Sequence, residues 1–323
     1  MGLLRVFGSV ALAVQFVCGA ALAQTYPSQS IKLIVPFAAG GITDLVGRLA
    51  AEHVKTTTGQ SVIVENRPGA GGNIGLAAVV TSPPDGYTIG LVGINTFAVN
   101  PHMFKSMPFD PMKDLMPVAP IAEAPQIMVI HASVPAKDLA EFIAYARANP
   151  NKLNYGSAGV GTPNHLGADQ IVRQAGLAIP HVPYRGGGPA VADLVSGAMQ
   201  MEVVAVGLVI EHIKAGTLRG LAAAAPKRLP FLPDLPTTAE AGLPTYDTAN
   251  WFGIAAPAKT PRPVIDGLNR ILSSMADDAA IQKRITGSYM LPMKMTADEL
   301  MASIKADAPK WEKIVKDAGV APE

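Results

Sequence analysis

Ser157 and His165 are the first residues to weigh for chemistry. They stand in Tyr155-Gly156-Ser157-Ala158-Gly159-Val160-Gly161-Thr162-Pro163-Asn164-His165-Leu166, where a strand pattern runs into glycines and then a helix. A serine nucleophile on a strand-to-helix turn needs glycine two residues before it, and that position is Tyr155. It also needs an acid to orient the histidine, and none is identifiable. The hydroxyls and free backbone N–H groups at Ser157, Gly161 and Thr162 suit a carboxylate better than catalysis. His165 alone reads as a structural residue bonded to backbone, with ligand contact as the alternative. The remaining histidines, His53, His102, His131, His181 and His212, include no pair at helical metal-binding spacing. Asp85, Asp110 and Asp114 lie in proline-rich loop sequence and form no acid–base pair. These residues imply neither a metal nor a cofactor.

Two further segments repeat the strand–glycine–helix form. In Val35-Pro36-Phe37-Ala38-Ala39-Gly40-Gly41-Ile42-Thr43-Asp44, a β-branched run precedes the glycines. Leu45, Val46, Leu49, Ala50 and Val54 follow at helical spacing. Gly40 and Gly41 permit φ > 0 and close approach to a ligand. Thr43 or Asp44 can cap the helix, whose free N–H groups can receive an oxygen anion. The third segment, His181-Val182-Pro183-Tyr184-Arg185-Gly186-Gly187-Gly188-Pro189, places Pro189 in a first helical turn. Tyr184 either lines a cleft or buries its ring beside the sheet; Arg185 reaches an anionic ligand or a surface acid. The glycines of Asn66-Arg67-Pro68-Gly69-Ala70-Gly71-Gly72-Asn73-Ile74-Gly75 miss the dinucleotide spacing, because Ile74 occupies the third glycine position. That stretch reads as a tightly packed turn with Arg67 paired locally.

The elements that must carry these junctions alternate along the chain. Strands are predicted at Ile31–Val35, Ser61–Glu65, Thr88–Gly93, Gln126–His131, Leu153–Gly156, His181–Tyr184, Met201–Val206, Leu218–Ala224 and Trp251–Ala255. Helices are predicted at Leu139–Ala148, Leu166–Ala175, Ala190–Ser196 and Val264–Met275. The alternation gives an α/β fold with parallel sheets covered on both faces, whose ligands lie beyond the strand carboxyl ends. Thr296 to Gly319 reads as two polar helices, the first opened by the capping box Thr296-Ala297-Asp298-Glu299.

Met1 to Ala23 has the form of a secretory signal, with Arg5, an apolar run and Ala21-Leu22-Ala23 before Gln24. Cys18, the only cysteine, lies inside it. The mature chain is therefore expected to hold no disulfide and no thiolate. The formal charge of +1 falls close to zero once Arg5 is removed, and basic runs are absent. Nucleic acid and anionic membrane surfaces are thus poor partners.

Together the segments resemble the substrate-binding receptors of tripartite tricarboxylate transporters, the Bordetella uptake gene (Bug) family. The matching residues are Tyr26-Pro27, Val35 to Gly41 with Asp44, Val64 to Gly75, Pro84-Asp85-Gly86-Tyr87-Thr88, Tyr155 to Pro163 with His165-Leu166, and His181 to Tyr184. Further matches are Pro233-Asp234-Leu235-Pro236-Thr237, Glu240-Ala241-Gly242 and Trp251-Phe252-Gly253. The resemblance runs through the whole mature chain.

It implies a two-lobe periplasmic binding protein fold with hinge strands. Residues 24–124 and 250–323 would form one lobe and residues 125–249 the other. A small carboxylate would lie between the loop Phe37–Asp44 and the loop Ser157–His165. Ala39, Gly40, Gly41 and Thr162 would donate backbone or hydroxyl hydrogen bonds. Asp44 would hold a water or the helix start, Phe37 would wall the pocket, and Asn95 or Thr96 would reach a polar ligand group. Many relatives carry acids or amides where this chain has Gln200 and Val204. One reading is that Val204 gives the ligand's far end an apolar wall; the other is that it packs in the second lobe. The implied protein is a periplasmic monomer that binds without catalysis and delivers its ligand to membrane permease subunits. A sensor kinase is the alternative partner, and a hydrolase using Ser157 and His165 the third reading. The loops near Pro83-Pro84 and Pro117–Pro120 are expected to shape the docking surface.

Overall fold

The structure, a computed structural model, describes residues 26–244 and 250–318. The expected signal segment, Met1 to Ala23, and Gly319 lie outside them. Apolar β-branched runs bounded by glycine or proline become strands. Those of the first sheet are β1 (Ile31–Val35), β2 (Val62–Asn66), β3 (Thr88–Gly93), β4 (Leu115–Ala124), β10 (Asn250–Pro257) and β11 (Leu291–Pro292), in the order β11-β4-β10-β3-β1-β2. The second sheet holds β5 (Gln126–His131), β6 (Tyr155–Ser157), β7 (His181–Pro183), β8 (Met201–Ala205) and β9 (Leu218–Ala223), in the order β7-β6-β8-β5-β9. The chain crosses from one sheet to the other at Pro125, between β4 and β5.

The helices are α1 (Ile42–Thr58), α2 (Asn73–Val80), α3 (Leu139–Ala148), α4 (Pro163–Gln174), α5 (Gly187–Ser196), α6 (Val206–Lys214), α7 (Arg262–Ser273), α8 (Ala279–Gly287) and α9 (Ala297–Ala318). Strand side chains alternate between faces. Leu33 and Val35 therefore enter one apolar cluster and Ile34 another. In the second sheet Met201 and Val203 face one cluster and Val204 the opposite one.

Three expectations fail. Parallel sheets are replaced by mixed ones: β1 runs parallel to β2 and β3, but β10 runs against β3 and β4, and β5 against β8 and β9. The strands that enter a sheet from the other lobe run against their neighbours. The expected docking loop at Pro117–Pro120 is instead buried in β4. β4 pairs fully with β10 on one side but meets β11 only at Ala122 and Glu123, so that side leaves room for residues without an N–H. The two predicted C-terminal helices are one, α9, which continues through Pro309. Leu300, Ile304, Trp311 and Val315 form one buried stripe along it, and that burial outweighs the lost hydrogen bond. The capping box is present: Thr296 N–H donates to Glu299 Oε2 at 2.8 Å and Glu299 N–H to Thr296 Oγ1 at 3.2 Å.

Glu202 is the exception in the second lobe's core. It lies on β8 opposite Val129 of β5 and Gly156 of β6, is fully buried, and neither carboxyl oxygen has a hydrogen-bond partner. Burial pushes its acid well above the ordinary 4.5, so the group is held protonated. A raised folded value gives stability that is complete below 4.5 and lost as pH rises toward that value. Glu202→Gln keeps the shape without the proton. Urea unfolding from pH 5 to 8 is expected to show the variant gaining about 1.4 kcal/mol per pH unit on the parent until the folded acid ionises, with no gain near 4.5. A pH-independent difference would refute the buried neutral acid.

Candidate ligand-binding cleft

Between the sheets lies a small cavity, with about 30 Å³ open to the centre of a water-sized sphere. Four helix starts reach it. α1 contributes Ile42 and Thr43; α4 contributes Thr162, Pro163 and Asn164; α5 contributes Gly187; α6 contributes its N-cap Ala205 and Leu208. The N-caps of α1, α5 and α6 are Gly41, Gly186 and Ala205, and none supplies a side-chain cap. First-turn N–H groups have no intrahelical acceptor; in α6 the first of them, Val206 N–H, donates to Pro125 O at 3.1 Å. α4 differs: Thr162 Oγ1 accepts from His165 N–H at 3.4 Å. No charged side chain lines the cavity among the described residues. Its polar side chains are Thr43, Thr162, Asn95, Gln126, Asn164 and Asn250, and the walls are apolar, with Phe37 and Phe252 the largest. The Asn250 side-chain oxygen has no hydrogen-bond partner among the described residues. Asn95 Nδ2 donates to Gly71 O at 3.0 Å and Asn164 Nδ2 to Val203 O at 2.9 Å.

Of the predicted residues, Phe37, Thr43, Asn95 and Thr162 meet here. Gly41 caps the helix whose first residues line the cavity. Tyr184 lines an outer vestibule with Phe37 and Arg185, and its hydroxyl donates to Asp193 Oδ2 at 2.6 Å. Gly40 borders a separate surface groove with Gly188, and Ala39 is exposed. Asp44 is not a cavity group and does not cap α1. It accepts from Gly40 N–H (3.2 Å), Arg48 Nε (3.0 Å) and Asn66 Nδ2 (3.1 Å). Burial alone would raise its acid, but these donors outweigh it and hold the carboxyl below the usual range.

Thr96 is buried in the turn after β3 and is absent from the lining. Val204 does not wall the ligand: it packs with Ile127, Val129 and Leu194, while Ala205, one residue on and facing the other way, reaches the cavity. Gln200 spends its amide on Asn154 N–H and Gly197 O. Gln126, Asn164, Asn250 and Phe252 were missed. Gln126 and Asn250 each open a buried strand where the chain has just changed sheets, and a polar residue at such a place is the signal that would have found them.

Ser157 and His165 are brought near each other but not bonded to each other. Ser157 is fully buried, and its Oγ lies 2.7 Å from His181 Nε2 and accepts from Gly159 N–H at 3.1 Å. His181 stacks on His165 with ring centres 4.0 Å apart, and on Tyr155 at 4.9 Å. His165 Nδ1 accepts from Gly161 N–H at 3.3 Å, so that amide too is spent within the loop. Burial, then the charge of Arg173, lowers His165 to about 4; burial, then His165, lowers His181 to about 3. Both rings are neutral near pH 7. The cluster braces the loop that carries Ala158 and Thr162 into the cavity, and a serine with no exposed surface cannot meet a substrate.

Residues 46–320 match the family model described as tripartite tricarboxylate transporter family receptor. The chain belongs to that receptor family. BugT of Bordetella pertussis is 33% identical over 298 residues, spanning 92% of this chain and 91% of that protein. Among solved receptors, R. palustris Rpa4515 with adipate is 34% identical, covers 92% of this chain and all of its own, and aligns at a TM-score of 0.88. MatC of Rhodopseudomonas palustris with bound malate is 31% identical, covers 90% of this chain and all of its own, and aligns at 0.85. The two-sheet α/β arrangement is thus the periplasmic binding protein fold of these receptors.

Within this receptor the histidine pair carries a pH dependence. Both rings titrate lower folded than the ordinary 6.5, so their contribution to stability is complete above 6.5 and lost as pH falls toward 4 and 3. His165→Phe keeps the stack and removes one titration. At pH 7.5 it is expected to cost about 1–3 kcal/mol, because Gly161 N–H loses its acceptor. Between pH 6.5 and 4 the variant should lose less stability than the parent; the difference cancels other titrating groups. Parallel curves in chemical unfolding would refute the assignment.

Proposed function

We propose that the protein captures a small carboxylate between its lobes and hands it to the permease of a tripartite tricarboxylate transporter. The observation that carries this reading is the convergence of four helix starts on one cavity lined by no charged side chain. Each start carries roughly half a positive charge, and α1 and α5, whose N-caps supply no side-chain acceptor, add main-chain N–H donors; both favour an anion's oxygens. Relatives with adipate and malate support a carboxylate as cargo. Neutral amides at Asn95, Gln126, Asn164 and Asn250 suit the remainder of such a ligand. Residues 24–124 with 250–323 form one lobe, residues 125–249 the other, and the crossing at Pro125 is part of the hinge. Met1 to Ala23 directs secretion, which places the working receptor in the periplasm. It acts as a monomer and by binding: differential affinity for the closed form shifts the lobes.

A thermal-shift series with succinate, malate, adipate, citrate, benzoate and nicotinate, each beside its uncharged amide, tests the reading. One acid class is expected to raise the midpoint, equivalent to about 2.7 kcal/mol at a hundredfold excess over its dissociation constant. The matching amide should have no effect. An equal shift by acid and amide, or no shift by any acid after unfolding and refolding to strip bound cargo, would reject carboxylate capture.

A further inference from the structure

Two amide oxygens gather where the cavity ends on the strands. β10 runs against β3 with Phe252 opposite Gly93, and two residues beyond that pair stand Asn250 and Asn95. Both line the cavity, and they are only 8% and 4% exposed. A Cβ on Gly93 would stand 3.1 Å from Asn250 Oδ1 and 3.2 Å from Asn95 Oδ1, so a side chain there would crowd both oxygens. Asn95 is fixed in this sense: its Nδ2 donates to Gly71 O at 3.0 Å, which an amide oxygen cannot do. The Asn95 oxygen accepts no hydrogen bond among the described residues. Asn250 Oδ1 is buried and has no partner among them either. Asn164, reaching the cavity from the other sheet, likewise spends its nitrogen, on Val203 O at 2.9 Å.

An acceptor shut away from water without a donor is costly, and a ligand that brings a donor relieves the cost. Three ligand groups can be weighed against this pair. An ammonium needs a counter-charge when it leaves water, and no charged side chain lines the cavity among the described residues. A second carboxylate brings only further acceptors and would face two oxygens. A hydroxyl brings a neutral O–H and needs no counter-charge. The cavity is small, so the hydroxyl and the carboxylate at the helix starts are few carbons apart.

We propose that Asn250, with Asn95 beside it, forms a donor-reading subsite that selects a short monocarboxylate carrying a hydroxyl over the corresponding deoxy, amino and dicarboxylic acids. The inference rests on the carboxylate reading of the cavity and adds the group that the acid must carry. The two asparagines meet the ligand, while Gly71 O orients Asn95 and the bare Gly93 leaves the oxygens room.

Calorimetry on protein stripped of cargo by unfolding and refolding tests the subsite. The series is butanoate, its 2-, 3- and 4-hydroxy and amino derivatives, succinate, and the amides of butanoate and of each hydroxy acid. One hydroxy acid is expected to bind at least about tenfold more tightly than butanoate, its amino counterpart and succinate. Asn250→Leu should erase that preference, binding the hydroxy acid and butanoate within about twofold of each other and butanoate no more weakly than the parent does. Asn250→Asp keeps the shape and supplies a counter-charge, so it should reverse the order of the hydroxy and amino acids. The parent series and Asn250→Asp carry the test even if the leucine variant does not fold. Equal binding of hydroxy acids and butanoate by the parent, succinate as tight as the best hydroxy acid, or an Asn250→Leu protein that keeps the preference would each overturn the subsite. If the hydroxy amides bind as tightly as their acids and butanamide does not, the subsite stands and carboxylate capture fails. If every acid outbinds its amide with no preference for the hydroxyl, capture stands and the subsite fails. No binding by any member of the series rejects both.

Discussion

A helix start leaves main-chain N–H groups that nothing inside the helix can satisfy. Some starts in this chain meet that demand with a side chain, as Asp138 does for Glu141 N–H and Asp278 for Ala280 and Ile281 N–H, while α2 and α7 follow Gly72 and Pro261, which supply none. At the cleft the sequence withholds the acceptor, placing Gly41, Gly186 and Ala205 where an aspartate or serine would otherwise cap. The unmet donors and the dipoles behind them point at one space. The apolar β1 and β8 exist to aim those helices, and the buried histidine stack exists to hold the loop that brings Thr162 alongside them.

The two sheets make that convergence possible from opposite sides. β5 and β10 each enter a sheet against their neighbours; the chain makes the first change through Pro125 alone, while a long connection separates the end of β9 at Ala223 from β10 at Asn250. The residues at those changes, Gln126 and Asn250, arrive at the floor of the cleft. On the proposed carboxylate reading, anion recognition and discrimination of the ligand's remainder would fall to different parts of the chain: helix starts for the first, strand starts and amide side chains for the second.

How much of this could be read from the sequence follows from what each signal measures. β1, β3 and β5 are legible to the residue, because each is a short, mainly apolar run rich in β-branched residues and bounded by turn residues. β4 was not, since Pro117 and Pro120 argue against a strand unless one knows that β11 covers so little of its far side. The strand–glycine–helix junctions predicted the helix starts and hence the character of the cavity. Face parity was the weak point. The sequence leaves Val204 either at the cleft or in the second lobe's core; it packs in the core, and Ala205 is the residue that turns toward the cleft. Ser157 was weighed with His165, its near neighbour in sequence, whereas parallel pairing of β6 and β7 gives it His181. Gln126, Asn164 and Asn250 come from three distant segments, and no local pattern joins them. The family resemblance carried the two-lobe architecture, which periodicity alone left open.

Recognition through main-chain donors changes what mutagenesis can see. Alanine scanning deletes side chains and leaves every peptide group in place. Across Ile42 and Leu208 such a scan would remove little of the hydrogen bonding proposed for an anion, while Asn95, Asn164 and Asn250 would register as the site. The part of the pocket that holds the charge would go unseen, and sequence drift at its lining positions would be tolerated for the same reason. On the proposed reading, such a receptor would change cargo by exchanging a few amides while the anion's seat, written in backbone, stayed as it was.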